Sequence, residues 1–315
     1  MKILITATSM RPDSDLPALE KLRLFCDNLI FSPLQRPLQP EELIPLVQGC
    51  EGYIAGLDYV DARVIEAGDR LQVISRNGAG VDRIDLEAAK GRGIVVCNTP
   101  GANAQAVADL AMGLALSVAR RIPMLHSSTV QGGWKRSTGI ELYGKTMGIM
   151  GLGAVGRAVA RRAKGFSMRV LAYDPFMDHT YAEQNDITAA GYQQVLSEAD
   201  VLSLHLPLTD ETRHILDRQA MQTMKTGAII INTARGGLID ESAAADLLLA
   251  GHLGGLGIDV FEKEPPESSP LFALENVVVT PHTAAHTQEA VQNMTDMAVD
   301  NLICVLQGRP CPNTL

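Results

Sequence analysis

Arg235 in "IIINTARGGLID", Glu264 in "GIDVFEKEPP" and His282 in "NVVVTPHTAAHT" have three different chemistries, and each stands a few positions beyond a run rich in apolar and β-branched residues. A guanidinium can hold a carboxylate or 2-oxo acid through two charge-assisted hydrogen bonds, each contributing about 1.5–3 kcal/mol net. An imidazole can supply or remove the proton that accompanies hydride transfer at a carbonyl carbon, and a carboxylate beside it favours the charged ring and fixes its orientation. On this reading Arg235 binds an anionic substrate, His282 handles the proton and Glu264 holds the ring. Gly236 and Gly237 would leave room for the ligand. Taken singly, the three are ordinary: half of a surface ion pair, a solvated loop residue before Pro265, a satisfied structural histidine. They acquire a common role only in a fold that gathers strand ends. His282 and His286 stand four apart, but Pro281 puts His282 in a loop and neither an HExxH glutamate nor a CxxC accompanies them, so no metal site is expected.

A second constellation lies upstream. Gly151, Gly153 and Gly156 in "MGLGAVGRA" form GxGxxG directly after an apolar strand and at the opening of a helix. The first glycine permits a tight turn, the second lets the backbone approach a pyrophosphate, and the third lets helix and strand pack closely, so that the helix N-terminus faces the phosphates. Asp174 in "LAYDP" ends the next strand, at the position where a carboxylate accepts hydrogen bonds from an adenosine ribose. A carboxylate there repels the additional phosphate of NADP and "DPFMD" supplies no arginine, which favours NAD. Asp259 would then accept from the nicotinamide carboxamide.

The elements that must position these residues alternate as strand and helix almost throughout, the pattern of parallel sheets covered on both faces. "KILITA", "GYIAG", "LQVISR" and "IVVCN" read as strands of one doubly wound domain, with helices near "PEELIPLVQ", "DARVIEAG" and "IDLEAAKG". An Ala- and Gly-rich helical stripe from Val107 through Leu110, Ala111, Leu114 and Val118 follows, closed before Pro123. A second series, "TMGIMGLG", "MRVLAYD", "DVLSLHL", "GAIIINT", "LGIDVF" and "NVVVTP", supplies the six strands of a dinucleotide-binding sheet, and Thr287 to Gln307 reads as a helix returning to the first domain.

Composition narrows the classes. A net charge of −9, with no run of five basic residues, argues against a nucleic-acid surface. Five scattered cysteines without a CxxC fit buried thiols in a reducing compartment. "MKILITATSMRPD" reads as a first strand and not a signal peptide, and no apolar run reaches the roughly 18 residues that span a membrane, so a cytoplasmic location and no membrane partner are expected.

From about Ile54 to Ile303 the chain resembles the D-isomer-specific 2-hydroxyacid dehydrogenases, with greatest likeness to the phosphoglycerate dehydrogenase branch, through "NGAGVDRIDLEAA", "GLGAVGRAVA", "YDP", "HLPLTDETRHIL", "NTARGGLID", "GIDVFEKEPP" and "PHTAAHT". The fold implied is α/β, two doubly wound parallel-sheet domains: a Rossmann NAD domain (99–283) inserted into a flavodoxin-like substrate domain (1–98 and 284–315), with the active site in the cleft. By similarity Arg235 binds substrate, Glu264 pairs with His282, and His282 is the proton donor in reduction. Ala154, Val155, Asp174, Pro207, Thr233, Asp259 and Ala285 match positions that contact NAD, beside Gly151, Gly153 and Gly156. Ala79 and Gly80 match the backbone that meets substrate. Family members are usually homodimers joined through the NAD domain.

The chain departs from the family pattern at Ala284, where glycine is common, at His286, and at Arg83, where asparagine is frequent. Phosphoglycerate enzymes often carry a basic residue in the loop after the strand matching "GYIAG", and here that loop reads "LDYVDA". Arg76, Lys135 and Arg136 are the alternative sources of a phosphate site. No appended regulatory domain is expected beyond Leu315. The expected activity is NAD-dependent interconversion of a small D-2-hydroxy acid, with 3-phosphoglycerate as a candidate, and its 2-oxo acid. The alternative within the class is hydroxypyruvate or glyoxylate reduction. Outside it stands an NAD(H)-sensing binding protein like the C-terminal-binding corepressors, which keep the same arginine, glutamate and histidine.

Overall fold

A run such as Ile3-Leu4-Ile5, with no polar face, is stable only as a strand covered on both sides, and all three residues are buried. The computed structural model describes residues 1–134 and 136–315. Lys135 lies outside the described residues. Contacts divide the chain into unit 1, Met1–Asn103 with His286–Leu315, and unit 2, Ala104–Ala285.

In unit 1, β1 (Ile3–Ile5), β2 (Leu29–Phe31), β3 (Gly52–Ala55), β4 (Val73–Arg76) and β5 (Val95–Cys97) form a parallel sheet in the order β2-β1-β3-β4-β5. Successive side chains face opposite ways, so Leu4, Tyr53 and Ile74 pack with Leu43 and Val64 on one face. Ile3, Ile5, Ile54 and Val73 pack on the other with Ala298, Val299 and Leu302 of the helix Gln288–Leu306. Thr287 caps that helix by accepting the Ala290 amide.

In unit 2, β6 (Thr146–Met150), β7 (Arg169–Tyr173), β8 (Thr188–Ala189), β9 (Val201–Leu204), β10 (Ala228–Asn232), β11 (Leu253–Ile258) and β12 (Val277–Val279) are parallel in the order β12-β11-β10-β9-β6-β7-β8. The order reverses between β6 and β9, the switch point beside which ligands of such sheets bind. The helix Ala104–Ala119 lies directly on β11. A Cβ on Gly255 would stand 2.3 Å from Val118 and one on Gly257 3.0 Å from Leu114, which accounts for the glycine-rich strand "LGGLGI".

Several elements of the structure are not announced by the sequence pattern, four of them instructive. β2 and β8 are edge strands of three and two residues, too short to show a period. The helix Pro17–Phe25 precedes β2. The helix Ala104–Ala119 ends before Pro123 as expected, but a second one follows directly: Arg121 turns into the left-handed region at φ 55°, and the helix Ile122–Val130 begins with Pro123 in its first turn.

Loops leaving the strand ends of unit 1 are tied by one buried carboxylate. Asp58 accepts from the Leu38 amide at 2.8 Å, the Gly56 amide at 2.9 Å, the Tyr53 hydroxyl at 3.1 Å and the Thr6 hydroxyl. Burial, with the Asp58 charge beside it, pushes the Tyr53 phenol up, so it remains a donor. Asp58→Ala should therefore cost about 3 kcal/mol of stability in urea unfolding followed by circular dichroism, because several donors lose their acceptor at once. A loss below about 1 kcal/mol would show that solvent replaces the carboxylate.

Candidate active site

Strand register sets the geometry of unit 2. Tyr173, Met150, Leu204, Asn232, Ile258 and Val279 form one row across β7, β6, β9, β10, β11 and β12. The next residues on the same edge are Asp174, Gly151, His205, Thr233, Asp259 and Thr280. Sites scattered over more than a hundred positions of sequence thus leave the sheet along a single line.

Glu264 and His282 meet there. The imidazole Nδ1 lies 2.9 Å from Glu264 Oε2 and 3.0 Å from Oε1, with side-chain exposures of 27% for the histidine and 15% for the glutamate. A carboxylate accepts, so Nδ1 carries the proton in this pair and Nε2 is the nitrogen left to exchange one. The Phe261 amide donates to Glu264 Oε1 at 3.3 Å and steadies the carboxylate.

His282 stands in the left-handed region at φ 51°. Asp259 holds it there. The aspartate is fully buried, and Oδ1 accepts from the Thr280 hydroxyl at 2.6 Å and the Thr283 amide at 2.8 Å, while Oδ2 accepts from the Ala284 amide at 2.9 Å. Its own carbonyl takes the His282 amide at 2.8 Å. Asp259, expected to face a nicotinamide, has no exposed surface in this structure and serves as the scaffold of the histidine loop.

Arg235 follows β10 through a turn closed by Asn232, whose Oδ1 accepts the Ala234 amide at 3.0 Å and whose Nδ2 donates to the Arg235 carbonyl at 2.8 Å. The guanidinium is half-buried, with Nη1 on the Ala234 carbonyl at 2.7 Å. The glycine beside it does not make room for a ligand. A Cβ on Gly236 would lie 1.9 Å from the Phe261 carbonyl carbon, so the missing side chain lets the Arg235 turn rest on the segment that carries Glu264.

The glycine motif is built in the same way at two of its three positions. Gly151 has φ 97° and a Cβ there would lie 2.6 Å from the His205 carbonyl oxygen, while one on Gly156 would lie 2.0 Å from the Gly151 oxygen. Gly153 is exposed and a Cβ there would meet nothing within 4 Å. Ala154 and Val155 form the first turn of the helix Ala154–Gly165. Asp174 is fixed beside them, Oδ2 accepting the Leu152 amide at 2.7 Å and Oδ1 the Phe176 amide at 2.8 Å, which leaves lone pairs for a ribose. Pro207 is exposed just past β9, and Ala285 is half-buried past the histidine loop. The Thr233 hydroxyl is buried without a hydrogen-bond partner, an unmet polar group of the kind a bound dinucleotide can satisfy. His205 and Asn232 escaped the sequence reading, although both stand at strand ends. Burial pushes the His205 imidazole down to about 3, so it stays neutral beside the glycine turn, with Nε2 2.8 Å from the Ser203 hydroxyl.

In unit 1, Ala79 and Gly80 lie in the loop after β4. Asn98 Nδ2 donates to the Ala79 carbonyl at 2.7 Å. Arg76 is buried under this loop, donating to the carbonyls of Gly80 and Asn77, so it is a brace and not a surface cation awaiting phosphate. Arg136 is exposed in unit 2, and Lys135 is outside the described residues. The "LDYVDA" loop nevertheless has a cation: Arg83 donates to the Leu57 carbonyl at 2.8 Å and lies 4.5 Å above the Tyr59 ring.

A parallel sheet with a glycine turn at its switch point and a carboxylate-held histidine on the same edge defines a dinucleotide-dependent oxidoreductase scaffold. Residues 112–284 match the family model described as D-isomer specific 2-hydroxyacid dehydrogenase, NAD binding domain, and the chain belongs to that family. It is 45% identical over 255 residues to a D-3-phosphoglycerate dehydrogenase of Methanocaldococcus jannaschii, covering 80% of this chain and 49% of that one, so it spans about half the length of that curated relative. It is 43% identical to a hydroxypyruvate reductase of Thermotoga maritima, covering 80% of this chain and 84% of the relative. Among solved structures, the TT0316 protein of Thermus thermophilus superposes with a TM-score of 0.87 at 39% identity, covering all of both chains.

The open space at Gly153 gives a clean test of cofactor fit. Gly153→Ala should unfold within about 0.5 kcal/mol of the parent, yet bind NADH at least about tenfold more weakly by fluorescence titration, since the methyl group would occupy the approach to the pyrophosphate. Unchanged affinity would place the phosphates elsewhere.

Proposed function

We propose that the protein is an NAD-dependent oxidoreductase that interconverts a small D-2-hydroxy acid and its 2-oxo acid. The observation that carries this reading is the Glu264–His282 pair, fixed by buried Asp259 on the strand edge that also bears Arg235 and the glycine turn. Gly151, Gly153, Ala154, Val155, Gly156, Asp174, Pro207, Thr233 and Ala285 would hold the dinucleotide, which when bound supplies or accepts the hydride. Arg235 binds the substrate carboxylate and the backbone of Ala79 and Gly80 meets the substrate. His282 Nε2 gives its proton to the carbonyl oxygen in reduction and takes it back in oxidation, while Glu264 balances the charge on the ring.

Relatives on both sides of the substrate question have similar identity, one named for phosphoglycerate and one for hydroxypyruvate. The involvement of Arg76 in its own loop favours the second reading, an unphosphorylated acid such as hydroxypyruvate or glyoxylate, over 3-phosphoglycerate. NADH consumption against phosphohydroxypyruvate, hydroxypyruvate, glyoxylate and pyruvate separates the two, and turnover of none would defeat both. His282→Gln should lower the reduction kcat by roughly 100- to 10,000-fold with NADH affinity preserved. A variant that keeps the parent rate would assign the proton to another group.

Assembly follows from an uncovered face. The helix Ile122–Val130 has no buried residue, and Ile122, Val130, Trp134 and Tyr143 are 51 to 83% exposed. A second copy of the chain would cover such a surface, giving a homodimer through the NAD domain. Sedimentation should show a dimer that the double variant Val130→Asp, Trp134→Asp converts to monomer. A parent that sediments as a monomer would remove this face from the proposal. Among the described residues no helix is long and apolar enough to cross a membrane. The free state of all five cysteines supports a reducing, cytoplasmic setting.

A further inference from the structure

Three of the five cysteines come together in unit 1, one of them distant in sequence from the other two: Cys97 in β5, Cys304 in the helix Gln288–Leu306, and Cys311 just beyond that helix. β5 is an edge strand, and the segment Cys311–Leu315 lies along it. The Leu315 amide donates to the Val96 carbonyl at 3.0 Å, Cys97 and Thr314 form an antiparallel bridge, and the Asn98 amide donates to the Asn313 carbonyl at 3.2 Å. Asn301 adds a side-chain clamp, its Oδ1 accepting from Asn313 Nδ2 at 2.9 Å and from Cys311 Sγ at 3.3 Å. Within this arrangement the sulfurs of Cys97 and Cys311 are 3.6 Å apart. Closing to the roughly 2.05 Å of a disulfide asks for a movement of about 1.5 Å, within reach of side-chain rotation and a small shift of the exposed segment.

We propose that Cys97 and Cys311 are an oxidation site, at which an intrachain disulfide staples the segment 311–315 to β5. With a low-molecular-weight disulfide as oxidant, the half-buried Cys311 reacts first: its thiolate attacks one oxidant sulfur, a mixed disulfide forms and one thiolate leaves. Cys97 then loses its proton to solvent, attacks Cys311 Sγ and expels the second thiolate. Two protein thiols are oxidised by two electrons and one oxidant disulfide becomes two thiols. Burial, the largest influence on the Cys97 thiol, pushes it up and persists once Cys311 is in the mixed disulfide, so closure is the slow step at neutral pH. The staple also bears on the loop that carries Ala79, since Asn98, bonded through its backbone to the stapled segment, holds the Ala79 carbonyl through its side chain.

The test uses the whole protein incubated with oxidised glutathione. Reactive thiols, counted after denaturation, should fall from five to three, the mass should drop by two hydrogens, and a peptide map should join Cys97 to Cys311. Amide exchange at Asn98 and Leu315 should slow and return to its starting rate with dithiothreitol. Cys97→Ser and Cys311→Ser should each abolish the loss of two thiols, while Cys304→Ser should retain it. A cross-link through Cys304, a glutathione adduct that persists on Cys311 without closure, five thiols remaining reactive, or unchanged exchange in the cross-linked protein would each overturn the proposal.

Discussion

An anion withdrawn from water has to be met by donors, and Asp259 is withdrawn completely. It meets this requirement by drawing in the Thr280 hydroxyl and the amides of Thr283 and Ala284, and so decides the path of the chain past β12. The backbone at His282 is bent into a conformation that side chains other than glycine seldom adopt, which turns the ring toward Glu264. The Glu264–His282 pair is thus placed by hydrogen bonds that Asp259 makes to the loop around the histidine, and the sheet contributes by ending β10, β11 and β12 in register.

Close approach to a bare backbone is the second means of assembly. Gly236 lets the turn bearing Arg235 rest on the Phe261–Glu262 peptide, Gly156 lets a helix rest on the turn at Gly151, and Gly255 lets Val118 sit against β11. At each of these points any side chain would force two segments apart. Gly153 differs, because nothing in the protein fills the space in front of it. The glycines of the motif therefore divide into two whose missing side chains the fold requires and one, Gly153, beside which the protein leaves open space.

Much of this was readable from residue types. The buried strands are legible because runs such as "AIIIN" have no polar face, and the pairing of Glu264 with His282 because a proton-transfer histidine calls for a carboxylate and both follow strands on one sheet edge. β2 and β8 were not legible, since two or three edge residues carry no period. Asp259 was legible as a strand-end carboxylate but not as a scaffold, for only its burial distinguishes the two. Gly236 was read as space for a ligand when the space belongs to Phe261. The arginines misled most: a sequence presents Arg76 as a free charge, whereas its own loop wraps it, and it gives no sign that Arg83 reaches Leu57 and Tyr59.

The chain has one tryptophan, Trp134, and it is 83% exposed, just past the helix Ile122–Val130, which has no fully buried residue. An indole emits at a wavelength set by the water around it. Any body that settles on this surface shifts the colour of the emitted light, and no second indole dilutes the signal. The molecule carries a built-in optical gauge of its own company.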